Sequence, residues 1–177
     1  MALIEEYKAH TAERAELGVP PLALTADQAA ELVELLKASP IAEQDFVMDM
    51  FENKVPAGVD DAAYVKAAFL NDIVQGNASC DAIDAVKACE ILGSMLGGFN
   101  VNPLVEALKL GGEVADVAAE QLKNTILVYD AFNDVEELTN VTTISSIRTS
   151  KTKDMSLIQK ESKSKFMDSS TKKLKLV

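Results

Sequence analysis

The run Ile91-Leu92-Gly93-Ser94-Met95-Leu96-Gly97-Gly98-Phe99-Asn100-Val101-Asn102-Pro103-Leu104-Val105-Glu106-Ala107-Leu108 holds a helix end, a double-glycine break and a second helix start without a spacer. Gly97 and Gly98 can take positive φ at little cost, which predicts that they stop the first helix. Asn100 or Asn102 can cap the second, and Pro103 fits its first turn. A chain that joins helices through breaks this short folds as a stack of helical hairpins.

Helical spacing recurs on both sides of that run. Leu3, Ile4, Tyr7, Thr11 and Ala15 form a first stripe, ended by Gly18 and Pro20-Pro21. Thr25 and Gln28 make a capping box for a second helix, whose inner face is Ala29, Leu32, Val33 and Leu36. A third helix over about 42–53 buries Phe46, Val47, Met50 and Phe51 before Pro56 and Gly58 break it. Asp60 is placed to cap a fourth, with face Ala62, Val65, Phe69 and Ile73. A fifth starts near Asp81 and groups Ala82, Val86, Cys89 and Leu92. A short sixth carries Val101, Leu104, Val105 and Leu108. Gly111-Gly112 separates it from a seventh with Val114, Val117, Ala118, Leu122, Ile126 and Tyr129. The stretch 125–129 has strand-like composition but continues the helical period, so it is read as helix. No segment alternates with period two, so no sheet is expected. The layout is all-α: about seven helices in an α-solenoid or irregular bundle, without a strict sequence repeat.

Charge divides the chain. Residues 1–147 carry 8 basic and 25 acidic side chains, whereas 148–177 carry 9 basic and 3 acidic. The first part repels nucleic acid, and only the second can attract phosphate. Composition shifts near residue 140: 141–177 holds 13 Ser or Thr and neither Ala nor Gly. Two units follow, a helical domain over 1–140 and a basic tail over 141–177, within which 151–167 reads as a basic amphipathic helix or as disordered chain. No apolar run approaches the roughly 18 residues of a membrane span. The acidic N-terminus is no secretory signal. Cys80 and Cys89 match no zinc or haem spacing and read as free thiols in a reducing, cytoplasmic setting.

Several stretches resemble the N-terminal domain of the aconitase B family, the bacterial aconitate hydratase 2 enzymes. They are the run 91–108, Glu5-Glu6-Tyr7-Lys8-Ala9-His10, Ala12-Glu13-Arg14-Ala15, Leu32-Val33-Glu34-Leu35-Leu36-Lys37, Asn53-Lys54-Val55-Pro56-Ala57-Gly58-Val59-Asp60-Asp61-Ala62-Ala63-Tyr64-Val65-Lys66-Ala67, and Asp134-Val135-Glu136-Glu137. The resemblance covers residues 2–138 and leaves the tail unmatched. It implies a HEAT-like α-solenoid of antiparallel helices that serves protein–protein contact and dimerisation. Such a domain lies against the catalytic domains and shapes access to their active site. The family's enzymes interconvert citrate and isocitrate through cis-aconitate in the tricarboxylic acid cycle and hydrate 2-methyl-cis-aconitate. Some bind mRNA when the cluster is lost.

The [4Fe–4S] cluster, the substrate-binding arginines and the catalytic serine of the family lie in its later domains. A cluster needs several thiolates, and this chain has two cysteines in all. Two arginines, Arg14 and Arg148, are its whole supply. The resemblance therefore implies a non-catalytic fragment of a lyase, with no catalytic, cofactor or metal residues of its own. The expected partners are the parent enzyme's catalytic domains, a second copy, or other proteins. The change at the tail is the mark expected of a truncated or frameshifted gene, a fusion, or an appended sequence. The alternative function is a free-standing regulatory or RNA-binding module acting through the basic tail.

Single residues add little chemistry. His10, the only histidine, reads as a surface or capping group. Cys89 reads as a small core residue, and Cys80, near a helix N-terminus, as a slightly acidified thiol. Asp60-Asp61, Asp45/Asp49 and Asp134/Glu136/Glu137 read as caps or solvated faces. Gly97-Gly98-Phe99-Asn100 and Gly111-Gly112 precede helix N-termini that can hold an anion, but neither matches a phosphate-loop pattern, so both read as turns. The run Gly97, Gly98, Phe99 and Asn100 is the candidate interaction loop: Phe99 either plugs the core or meets a partner.

Overall fold

The computed structural model describes residues 2–38, 40 and 42–125, and these are all-helical. The helices are α1 (Ala2–Glu16), α2 (Ala26–Lys37), α3 (Gln44–Asp49) with a π-helical turn (Met50–Lys54), α4 (Asp61–Val74), α5 (Ala85–Gly93), α6 (Val101–Leu110) and α7 (Gly112–Asn124). The only β-type pairing among the described residues is an isolated bridge between Cys80 and Ile83. Helix α4 is the hub: it packs on α2 to one side and on α5 and α6 to the other, while α7 closes over α5 and α6.

The apolar stripes account for the packing. Leu3, Ile4 and Tyr7 of α1, Leu32 and Leu36 of α2, and Val47, Met50 and Phe51 join one continuous core with Phe69 and Leu70 of α4. Leu92, Leu104, Leu108 and Leu122 extend it to α7. Phe51 and Phe69 meet edge to face at 5.8 Å between centroids. Each such side chain contributes about 1.5–3 kcal/mol by leaving water. Small buried residues, among them Ala63, Ala67, Ala88, Ala107 and Ala118, let the helices approach closely.

Local chemistry sets the helix ends. The Thr25 hydroxyl accepts the Gln28 N–H at 3.3 Å, and the Gln28 side chain accepts the Thr25 N–H at 3.0 Å, completing the predicted capping box. Val55, which precedes Pro56, is extended and ends the π turn. The carbonyls that this turn frees find other donors: Glu52 O takes the Lys66 ammonium at 3.0 Å, and Lys54 O takes the Leu24 N–H at 2.9 Å.

Several expectations change. Helix α5 starts at Ala85, not near Asp81, because Asp84 is its cap and accepts the Lys87 N–H at 2.7 Å. It ends at Gly93, ahead of the double glycine; the Ser94 hydroxyl and N–H both donate to Ile91 O, at 2.6 and 3.1 Å. Asp60 holds the N-cap position of α4 without a side-chain capping bond. Ala15 is exposed, since α1 rests on the core through its first two turns only. The third segment begins at Gln44 and changes to π geometry at Met50. Helix α7 stops at Asn124, and Thr125 is extended (φ −78, ψ 130) rather than helical. Ile126, Tyr129, Asp134, Glu136, Glu137 and the tail lie outside the described residues.

Candidate interaction surface

The loop from Ser94 to Asn100 is held from three directions. Leu96 donates its N–H to Ala57 O at 2.8 Å, tying it to the loop before α4. Gly97 then packs backbone to backbone on that loop: a β-carbon built on it would stand 1.8 Å from Gly58 O and 2.9 Å from the Val59 nitrogen. Gly98 takes φ +89°, a conformation that favours glycine. Of the two glycines, one is required by close approach and the other by backbone angle.

Asn100 is fully buried and does not cap α6 through its side chain. Its Nδ2 reaches back to the end of α5, donating to Leu92 O at 2.9 Å and to Met95 O at 3.1 Å. It thus serves the C-terminal end of α5 and the turn after it, the opposite terminus from the one predicted; Leu92 O also takes the Met95 N–H at 3.1 Å. Among the described residues Asn100 Oδ1 has no hydrogen-bond partner. Asn102 is exposed in the first turn of α6, followed by Pro103.

Phe99 joins both alternatives. It is half-buried against the core, and its ring meets that of Tyr64 edge to face at 5.5 Å. Tyr64 is 60% exposed, Leu96 72% and Val59 75%. The contacts Leu96–Ala57, Gly97–Gly58 and Phe99–Tyr64 bring these side chains to one side of the molecule, where exposed Asp60 and Asp61 border them. The surface is therefore an apolar patch on a braced frame with acid at its rim. Isolated exposed apolar residues are ordinary, whereas a grouped set marks a contact site.

Sequence reasoning located the loop but missed Val59, Tyr64 and Leu96. The signal for Tyr64 was present, because it is an aromatic residue off the α4 stripe of Ala62, Val65, Phe69 and Ile73. A second exposed apolar segment, Leu17, Val19 and Leu22, follows α1. Three α1 side chains fix its backbone: Tyr7 OH donates to Leu22 O at 3.0 Å, Arg14 Nε donates to Pro20 O at 2.9 Å, and His10 Nε2 accepts the Leu22 N–H at 3.1 Å. His10 thus has a bracing role.

Cys89 is fully buried in the core, and burial pushes its thiol up to about 11. Cys80 is half-buried in the turn closed by the Ile83 N–H on Cys80 O at 3.4 Å, ahead of Asp84, which caps α5. Asp45 and Asp49 are exposed on α3, where Asp49 accepts from Asn53 Nδ2 at 2.9 Å. No group of three or more His, Cys, Asp or Glu side chains is placed to hold a metal among the described residues. No helix among them is long and apolar enough to cross a membrane.

The family model for the aconitate B N-terminal domain matches residues 6–150. Aconitate hydratase B of Pseudomonas aeruginosa is 53% identical over 135 residues, covering 76% of this chain and 15% of the relative. The Escherichia coli protein of that name is 49% identical over 135 residues (76% and 16%), and the Helicobacter pylori one 39% over 133 (75% and 16%). The chain thus spans about 15–16% of the length of the curated relatives it matches. With a match over most of its length, the chain belongs to the aconitate B N-terminal domain family.

Proposed function

We propose that this chain is a non-catalytic docking domain of an aconitate hydratase B-type enzyme, with HEAT-like helical hairpins. The observation that carries this reading is the braced apolar patch of Val59, Tyr64, Leu96 and Phe99, within a match that spans only the relatives' N-terminal-domain family. Such a patch suits burial against another folded surface, and the remainder of the enzyme is the partner the family membership supplies. The side chains present suit contact better than chemistry. The single histidine spends Nε2 on the Leu22 N–H, and burial keeps Cys89 protonated.

On this reading, citrate–isocitrate interconversion, 2-methyl-cis-aconitate hydration and the [4Fe–4S] cluster belong to the later domains, and the setting is cytoplasmic. Dimerisation or contact with other proteins uses the same kind of apolar surface, because the acidic charge of 1–147 repels a second copy elsewhere. RNA binding through the basic 148–177 segment is the competing reading, favoured by its charge alone.

The test is an exchange. The P. aeruginosa relative, with residues 6–138 of this chain replacing its own matching segment, is assayed for citrate and cis-aconitate turnover beside this chain alone. Activity in the chimera and none in the lone chain supports the reading; turnover by the lone chain, or a folded but inactive chimera, contradicts it. RNA binding that falls with salt and disappears on removing 141–177 would establish the competing reading.

A further inference from the structure

The patch carries charge as well as apolar surface. Asp60 holds the N-cap position of α4, yet its side chain makes no capping bond. Its carboxylate lies instead beside the loop contact: a β-carbon built on Gly58 would stand 3.4 Å from Asp60 Oδ2, and Gly58 is the residue on which Gly97 rests. Asp61 follows and is also exposed. Among the described residues neither acid has an ion pair. The domain has no cation to spare for them. Of the 8 basic side chains in 1–147, six are lysines paired with acids of the same domain. Lys66 is buried on Glu52 O at 3.0 Å, and Arg14 Nε donates to Pro20 O at 2.9 Å. A second copy would bring the same two acids to the contact and, from its described residues, no unengaged cation. Covering the patch draws both carboxylates out of water, which is unfavourable unless opposite charge meets them.

We propose that the surface seated on this patch is cationic: an apolar contact for Tyr64 and Leu96, flanked by arginine or lysine side chains that pair with Asp60 and Asp61. The inference rests on the docking reading and names the chemistry of its partner, a basic face on the remainder of the enzyme. Arginine suits the role best. Its fork meets a carboxylate with two parallel hydrogen bonds, and its plane stacks on an aromatic ring such as the exposed Tyr64. The ion pairs stand at the rim, so they set orientation and supply a salt-sensitive share of the attachment. Tyr64 and Leu96 supply the apolar share.

The experiment uses the P. aeruginosa enzyme carrying residues 6–138 of this chain. The rate at which a protease separates the graft from the remainder is measured at ~0.05 and ~0.5 M salt. Three proteins are compared: the unsubstituted graft, Asp60→Asn/Asp61→Asn, and Tyr64→Glu/Leu96→Glu. Asparagine keeps the shape of aspartate and is itself a good N-cap, so α4 keeps its start, which the α-helical signal checks. At low salt the asparagine variant should release the graft about tenfold faster than the unsubstituted protein. High salt should speed the unsubstituted protein by a similar factor and leave the asparagine variant nearly unchanged. Equal low-salt rates for those two proteins, or a salt response that survives the asparagines, overturn the proposal. The Tyr64→Glu/Leu96→Glu protein separates the two possible failures. Faster release there, with no effect of the asparagines, keeps the docking surface and removes the cationic partner. No effect in either variant removes both.

Discussion

Gly97 lies against Gly58 with no room for a side chain: a β-carbon on Gly97 would stand 1.8 Å from the Gly58 carbonyl oxygen and 2.2 Å from its carbon. This contact joins the loop after α5 to the loop before α4 and sets where Leu96 and Val59 are displayed. Gly97→Ala must push backbone from backbone. Urea unfolding should show a loss of about 1–3 kcal/mol. Gly98→Ala, strained by φ +89°, should cost about 1–2 kcal/mol. An alanine at Gly97 without cost would mean that the two loops are not in contact.

Asn100 is expected to behave as a core residue. Asn100→Ala removes the amide donor shared by the Leu92 and Met95 carbonyls; Leu92 O keeps the Met95 N–H, and the expected loss is about 1–3 kcal/mol. Asn102→Ala, at an exposed site, should stay within about 0.5 kcal/mol. If the two variants unfold at the same urea concentration, Asn100 does not hold the α5 terminus.

Lys66 gives the fold a pH signature. It is 1% exposed, and burial lowers its ammonium pKa from 10.5 to about 8, partly offset by the Glu52 carboxylate. Between those values the unfolded chain holds a proton that the folded chain has released, so stability rises with pH from about 8 towards 10.5. Cys89 acts oppositely. Its thiol, raised from 9.0 to about 11, keeps a proton that the unfolded chain loses, so stability falls across that interval. The wild-type chain should therefore gain about 1 kcal/mol between pH 7 and pH 9. Lys66→Met should lose that gain, and an unchanged slope in urea midpoints would rule out a buried lysine.

The two thiols should separate by accessibility. In the native chain one cysteine, Cys80, should react with a thiol reagent, and Cys89 should react only on unfolding, since it is 0% exposed. Two fast equivalents in the native protein would place Cys89 outside the core.

The helical stripes were legible because each buries one face: Ala29, Leu32, Val33 and Leu36 all lie inside, as their spacing implies. Contacts between distant segments were not legible. Lys66 looks like a solvated charge until the Glu52 carbonyl, fourteen positions earlier, is placed beside it. Asn100 stands before α6 in the chain and so reads as its cap, whereas its amide serves α5. Asp81 and Asp84 both precede α5, and the Cys80–Ile83 turn leaves the cap to Asp84. The candidate loop was legible through its glycines, but the patch was not. Leu96, Val59 and Tyr64 share a surface only once Gly97 rests on Gly58.

The central claim, that the Val59–Tyr64–Leu96–Phe99 surface docks on the rest of an aconitate hydratase B-type enzyme, is tested most directly in the chimeric P. aeruginosa protein. The measurement is the rate at which a protease separates the grafted segment from the remainder, with Tyr64→Glu/Leu96→Glu compared with the unsubstituted graft. The account predicts release about tenfold faster in the substituted protein, with the α-helical signal of the graft retained. Equal release rates with both grafts folded would contradict it.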